Sequence, residues 1–288
     1  MDVDKTSRTR AMIPDQPAPT RREEHMLSKL VGWAEWKDVK ELLSPQFFAV
    51  MPPRKIASLI KEMYGNFRNE DLFARAAGEA EELCRRFGLD ILIADEPGVD
   101  PAPSVGDLVL RLYFGQLFHG STTLIDLRTA RFSSNQDQII WSPSRLVVEW
   151  DKPFLMSIRA LYRSFYTDDD EGFERALAQL HLQSVSNLFR KHFGEGDQRA
   201  VSFDLDEFRA TFRQILRRCK DEGIELHRQF GVLGIYLGTL YDHLESLGGA
   251  YDVRRAAEAV MTGPEVSRSY DIPGNRPRHP HIPPAKSW

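Results

Sequence analysis

The sequence predicts a mainly α protein, a helical bundle with a small antiparallel β-meander at about residues 122–150. Two observations favour this class. Most segments between the chain ends repeat apolar residues every three or four positions, which is the period of an amphipathic helix. One short region is instead rich in β-branched residues that alternate with polar ones. No run approaches 18 consecutive apolar residues, so we expect no membrane-spanning helix.

The strongest single signal is a helix predicted over residues 226–247. Its apolar positions are spaced by four and three residues in turn: Leu226, Phe230, Leu233, Leu237, Leu240, Leu244 and Leu247. Three glycines, at positions 231, 234 and 238, lie on an adjoining face. Glycine inside a helix costs roughly 1 kcal/mol relative to alanine, so another backbone is expected against that face. The pattern predicts a central helix packed on two sides, in which Leu237→Asp would unfold the protein.

The other elements follow from caps and periodicity. Asn69 can begin a helix that Gly88 ends, and Asp204 with Glu207 has capping-box spacing. Helices are predicted at about 23–34, 36–43, 53–64, 69–87, 105–118, 153–166, 169–180, 183–193, 204–221 and 252–261. Residues 89–94 form a short strand or buried segment. Strands at 122–129, 139–141 and 146–150 give the three-stranded antiparallel meander.

Composition changes along the chain predict five regions. They are a flexible tail at 1–22, an N-terminal helical region at 23–94, a linker at 95–104, a main helical domain with the β insert at 105–263, and a proline-rich flexible tail at 264–288. The formal net charge of −4 makes nucleic acid an improbable partner. Cys84 and Cys219 are interpreted as buried thiols, which is typical of a cytoplasmic protein.

His119 and Asp126 are the first candidates for chemistry. A histidine and a carboxylate near a strand could form a general base pair or two metal ligands. The alternative is structural, with His119 near a helix C-terminus and Asp126 paired with Arg128 or Arg131. Other histidines do not share a helix face at ligand spacing, and the pair His279 and His281 lies in a predicted tail. We therefore predict no catalytic residue, no metal site and no cofactor.

Two charged segments have similar alternatives. The acidic run 168–171 could attract a divalent cation, but such runs more often cap a helix. Arginines at positions 209, 213 and 217, with Arg218 beside them, form a basic stripe along the 204–221 helix. The stripe could receive a phosphate, an acidic partner or RNA, or it could be an ordinary solvated face.

From Phe118 onward, over roughly residues 118–261, the order of elements resembles the distal helical lobe of the UbiB/AarF-type atypical kinase-like family. The segment Leu124-Ile125-Asp126-Leu127-Arg128 stands where that family has a strand ending in Asp-Phe-Gly. The resemblance implies a purely helical lobe after this strand. It transfers no catalytic residue, because Phe-Gly does not follow Asp126 and the family's asparagine-bearing loop, lysine strand and glycine-rich loop are absent.

These patterns together predict a non-enzymatic cytoplasmic scaffold or adaptor that binds another protein, with Arg209, Arg213, Arg217 and Arg218 as the candidate contact residues. The alternative is an enzyme or a small-molecule-binding protein, degenerate and kinase-like, with a site near His119 and Asp126. The sequence does not predict the oligomeric state.

Overall fold

The structure is a computed structural model that describes residues 53–102, 105–136, 138–193 and 200–262. The predicted tails, the predicted helices at 23–34 and 36–43, and the pair His279 and His281 lie outside the described residues. The described α-helices are α1 (Pro53–Phe67), α2 (Glu70–Arg86), α3 (Gly106–His119), α4 (Lys152–Tyr166), α5 (Asp170–Gln179), α6 (Ser186–Phe193), α7 (Leu205–Glu222), α8 (Gln229–Leu247) and α9 (Val253–Met261). The described strands are β1 (Ile91–Ile93), β2 (Asp100–Pro101), β3 (Thr122–Leu124), β4 (Phe132–Asn135), β5 (Gln138–Trp141) and β6 (Val147–Glu149).

The helix boundaries were predicted from capping residues, and the structure contains the capping hydrogen bonds of Asn69 and Asp204. The Asn69 side chain accepts a hydrogen bond from the Leu72 backbone N–H at 3.0 Å and begins α2. Asp204 likewise accepts from the Glu207 N–H at 2.8 Å and begins α7, which ends at Gly223 with a φ of 68°. These bonds satisfy amide groups that a helix end would otherwise leave unpaired.

The central helix of the described fold is α8, which packs against α3 on one side and α7 on another. It begins at Gln229, three residues later than predicted, although Leu226 is also buried. A backbone was predicted to pack against the glycine face, but the group that packs against Gly234 is a side chain. A Cβ at this position would lie 2.7 Å from the Phe212 ring of α7. Leu237 is only half-buried, whereas Leu240 is 3% exposed. Unfolding by a buried aspartate is therefore expected for Leu240→Asp rather than for Leu237→Asp.

The mainly α class with a small antiparallel β region is confirmed, but the strands divide between two sheets instead of forming one meander. β3 pairs antiparallel with β6. The other sheet has the order β1-β5-β4-β2, in which β1 is parallel to β5 and the other pairs are antiparallel. The predicted strand at 122–129 stops at Leu124, and a 3₁₀ turn at Thr129–Arg131 redirects the chain into β4.

The segment predicted to be a linker contains β2, which pairs with β4 through Asp100 and Ser134. β1 precedes that segment and pairs with β5, which follows it. Buried residues from α1 through α9 form one hydrophobic core. Both sides of the predicted linker therefore contribute to one sheet and one core. In the described ranges, no helix is long and apolar enough to cross a membrane.

Candidate functional site

Asp126 lies at the centre of a buried ion cluster. Its side chain is fully buried and accepts two hydrogen bonds of 2.8 Å from Arg128, whose own side chain is 4% exposed. Arg131 donates a third bond of 2.9 Å to the same carboxylate. Burial alone would raise the pKa of Asp126, but the two guanidinium groups outweigh it and lower this pKa. The carboxylate is therefore ionised and occupied by internal partners.

The backbone around Asp126 is bonded from several elements. The Gln116 side chain donates to the Leu124 carbonyl and accepts from the Leu124 N–H. Thr239 on α8 donates to the Ile125 carbonyl at 2.8 Å, and Trp141 donates to the Asp126 carbonyl at 3.1 Å. These bonds satisfy buried backbone groups at the end of β3 and in the segment that follows it, so the segment has a structural role.

His243 completes this set of buried contacts. Its Nδ1 lies 2.7 Å from the Leu127 carbonyl oxygen and donates to it, while the ring packs edge-on against Phe132 at 4.9 Å. The residue is fully buried, and this burial lowers the pKa of His243 to about 4. Nε2 has no hydrogen-bond partner among the described residues. A neutral histidine with one bonded nitrogen is consistent with a structural bond to the Asp126 segment.

His119 has partners of its own. Its Nε2 donates to the Val260 carbonyl of α9 at 3.0 Å, and its ring lies 5.1 Å from that of Phe87. Burial is the main cause that lowers the pKa of His119, and nearby arginines lower it further. His119 thus joins the end of α3 to α9, whereas Asp126 is held by the two arginines. Within the described ranges, no group of three or more His, Cys, Asp or Glu residues could hold a metal.

The basic stripe is less free than its spacing predicted. Arg209 is 8% exposed, and it bonds Asp206 at 2.8 Å. Arg218 forms an ion pair with Glu222 one turn later. Arg213 is half-buried, and Arg217 is exposed. The basic face is therefore smaller than the sequence predicted, because Arg209 is buried and Arg218 is paired with a carboxylate.

The acidic run is used in helix capping and ion pairs. Asp169 accepts from the Gly172 N–H at 2.8 Å and begins α5. Arg254 donates two bonds of 3.0 Å to Asp168. Asp170 is paired with Arg190 at 2.8 Å. These contacts match the capping interpretation of the run.

Two small cavities flank Leu237, and Tyr162 lines both of them. The first is almost entirely apolar and has a volume of about 20 Å³. The second has a volume of about 30 Å³ and is lined partly by tyrosines. A cavity needs roughly 10–15 Å³ to hold one water molecule, so neither accepts a larger ligand without movement of its walls.

The feature that sequence reasoning missed is the open edge of the four-stranded sheet. β1 pairs with β5 on one side, and no other strand of the described ranges pairs with its second side. Leu92, in the middle of β1, is 49% exposed although it is a large apolar residue. The sequence predicted a strand or buried segment here, but three apolar residues in succession do not reveal which one faces solvent. An open edge with an exposed apolar side chain is a template for another strand.

The outer face of this sheet is partly covered by the chain itself. Cross-strand register places Leu92 beside Ile140, and Ile140 beside Ser133. The Gly98 N–H donates to the Ser133 hydroxyl oxygen at 2.7 Å, and a Cβ on Gly98 would lie 3.1 Å from Ile140. The Gly98 segment thus buries Ile140 and leaves Leu92 beside it half-exposed. Val99, which follows, is 85% exposed.

No protein-family model matches the chain, and no curated protein matches it. The resemblance to the UbiB/AarF-type family stays a prediction.

Proposed function

We propose that this protein is a non-enzymatic adaptor that binds another protein. The observation that carries the proposal is the edge of β1 that no other described strand pairs with, where Leu92 is half-exposed. An edge strand presents unpaired backbone N–H and C=O groups that can pair with another chain. Main-chain pairing at a sheet edge is a recurrent mode of protein recognition.

The contacts of the other candidate residues, Asp126, His119 and the arginines of the basic stripe, support a role in binding rather than in catalysis. A general base must be within reach of the substrate, whereas Asp126 is fully buried and bonded to Arg128 and Arg131. His119 bonds the Val260 carbonyl through Nε2, so its ring is oriented by α9.

Arg217 and Arg218 are exposed and Arg213 is half-buried. Because Arg218 is paired with Glu222, we assign Arg213 and Arg217 a secondary role in steering an acidic partner surface. The proposal includes a cytoplasmic location, which the two buried free cysteines support.

Partner capture with two matched variants tests the proposal. Leu92→Lys adds a charge at the β1 edge, and Met156→Lys adds the same charge at another exposed apolar residue, which is 59% exposed on α4. Proteins captured from the native cell by wild-type protein are identified, and the main partner is purified and titrated against all three proteins. We expect Leu92→Lys to weaken binding by about tenfold or more, because it sets an ammonium group in an apolar contact. Met156→Lys should bind as wild type does.

Equal binding of the partner by all three proteins would show that the β1 edge is not the docking site. The alternative, a reaction or a ligand near His119 and Asp126, requires the bonds between Asp126 and its two arginines to open. A bound small molecule in purified protein that is lost in His119→Ala and retained in Leu92→Lys would favour that alternative.

A further inference from the structure

We propose that the occupant of the β1 edge is an extended, basic segment of the partner protein, which adds to the sheet as a further strand beside β1. This inference rests on the proposed adaptor function and specifies the chemistry of its partner.

The backbone of β1 determines which groups the added strand would meet. The Ala94 N–H donates to the Trp141 carbonyl of β5 at 3.1 Å. In a strand ladder, alternate residues direct their N–H and C=O groups to the same neighbour. The backbone groups of Leu92 and Ala94 therefore face β5. Those of Ile91 and Ile93 face the side of β1 that no other described strand pairs with. An extended segment could satisfy these edge groups in a way that a helix could not.

The side chains of β1 indicate an alternating partner. Ile91 is 7% exposed and packs in the core, whereas Leu92 points to the other face and is 49% exposed. An added strand would also place alternate side chains on this outer face, beside Leu92. Apolar residues at every second position would cover Leu92, and the remaining positions could be polar.

The charge around the edge indicates that the partner is basic. Residues 87–96, which contain β1, have three acidic residues and no lysine or arginine: Asp90, Asp95 and Glu96. Asp90 directly precedes β1, and Asp95 and Glu96 follow it closely; all three are exposed. Of the nearest arginines in sequence, at the end of α2, Arg85 pairs with Glu82. Arg86 lies over the Phe87 ring and keeps its charge, which the three carboxylates outnumber. A segment with lysine or arginine between its apolar residues complements this rim.

Defined peptides test the inference with the full chain. The probe is a fluorescent nine-residue peptide of alternating lysine and valine, titrated by fluorescence anisotropy. One comparison peptide replaces every lysine with glutamate, and a second keeps the sequence but carries N-methyl groups on alternate backbone amides. We expect the basic peptide to bind, with affinity that falls as salt rises. Each comparison peptide should bind about tenfold or more weakly, through like-charge repulsion or lost strand pairing.

The variants assign any binding to β1. Leu92→Lys should reduce affinity for the basic peptide about tenfold or more, and Met156→Lys should leave it unchanged. Failure of the basic peptide to bind, equal binding of the glutamate or N-methylated peptide, or equal loss in both variants would overturn the inference. A concentration-dependent dimer in sedimentation that Leu92→Lys abolishes would also overturn it, in favour of a second copy as occupant.

The adaptor proposal fails separately from this inference. If the captured partner loses affinity for Leu92→Lys while the basic peptide does not bind, the edge is a docking site for a different kind of segment. If the peptide binds at β1 and no captured partner depends on Leu92, the adaptor proposal is the part that fails.

Discussion

Lowering the pH from 7 to 5 is expected to destabilise the protein through His243. This histidine is fully buried, and desolvation lowers its pKa from the ordinary 6.5 to about 4 in the folded state. Below pH 6.5 the unfolded chain therefore binds a proton that the folded protein does not. The stability associated with neutral His243 is present above the unfolded pKa and is lost as the pH falls towards 4.

The size of the effect follows from the two pKa values. Proton linkage between pKa 6.5 unfolded and about 4 folded gives a loss of about 2 kcal/mol between pH 7 and pH 5. The matched variant is His243→Asn, whose side-chain amide can take the place of Nδ1 and donate to the Leu127 carbonyl without titrating. The variant is expected to be less stable at every pH, since the smaller side chain leaves a cavity.

Urea unfolding at pH 7 and pH 5, followed by circular dichroism, measures this difference. We expect the free energy of unfolding to fall more in wild type than in His243→Asn, by about 2 kcal/mol. Other titrating groups contribute equally to both proteins and cancel in the comparison. An equal loss in the two proteins would show that His243 does not titrate with unfolding, and would refute the account of its burial.

Two further changes test the core. Asp126→Asn should lower the free energy of unfolding by about 3–5 kcal/mol, because Arg128 is left charged and buried without its counterion. Gly234→Ala should lower it by about 1–3 kcal/mol, because a Cβ would lie 2.7 Å from the Phe212 ring. Urea unfolding at pH 7 measures both.

Each core change has a matched control. Glu171→Gln removes a carboxylate that is 90% exposed and should change stability by less than about 0.5 kcal/mol. Gly78→Ala adds a methyl group in α2 with nothing within 4 Å of it, so stability should rise by about 0.5–1 kcal/mol. If Glu171→Gln lowers the free energy of unfolding as much as Asp126→Asn does, the contacts assigned to Asp126 are wrong. The same holds for Gly234 if Gly78→Ala lowers it as much as Gly234→Ala does.

The helices could be predicted from the sequence because their signals are local. Asp204 caps α7 through an amide three residues away, and Gly223 ends the same helix by its own left-handed backbone. The pairing of Asp126 with Arg128 and Arg131 was one of the two stated alternatives, and it spans only five residues. Such contacts depend little on the rest of the fold.

The candidate binding edge could not be predicted because it depends on distant pairing. β1 is an edge strand only because Ile91–Ile93 pairs with residues 139–141, well beyond any local pattern. Burial of Arg209 likewise depends on how α7 packs, which helical spacing does not specify. Leu237 follows the apolar period of α8 and is nevertheless half-buried, since periodicity gives a direction but not the neighbours on it.

Amide hydrogen exchange at Ile91 and Ile93 is the most direct test of β1 as the docking edge. Their N–H groups face the open side of the sheet, whereas the Ala94 N–H is already bonded to β5. With the captured partner bound, we predict that exchange slows at both isoleucines. The central claim would be contradicted if a saturating partner left the exchange of Ile91 and Ile93 unchanged.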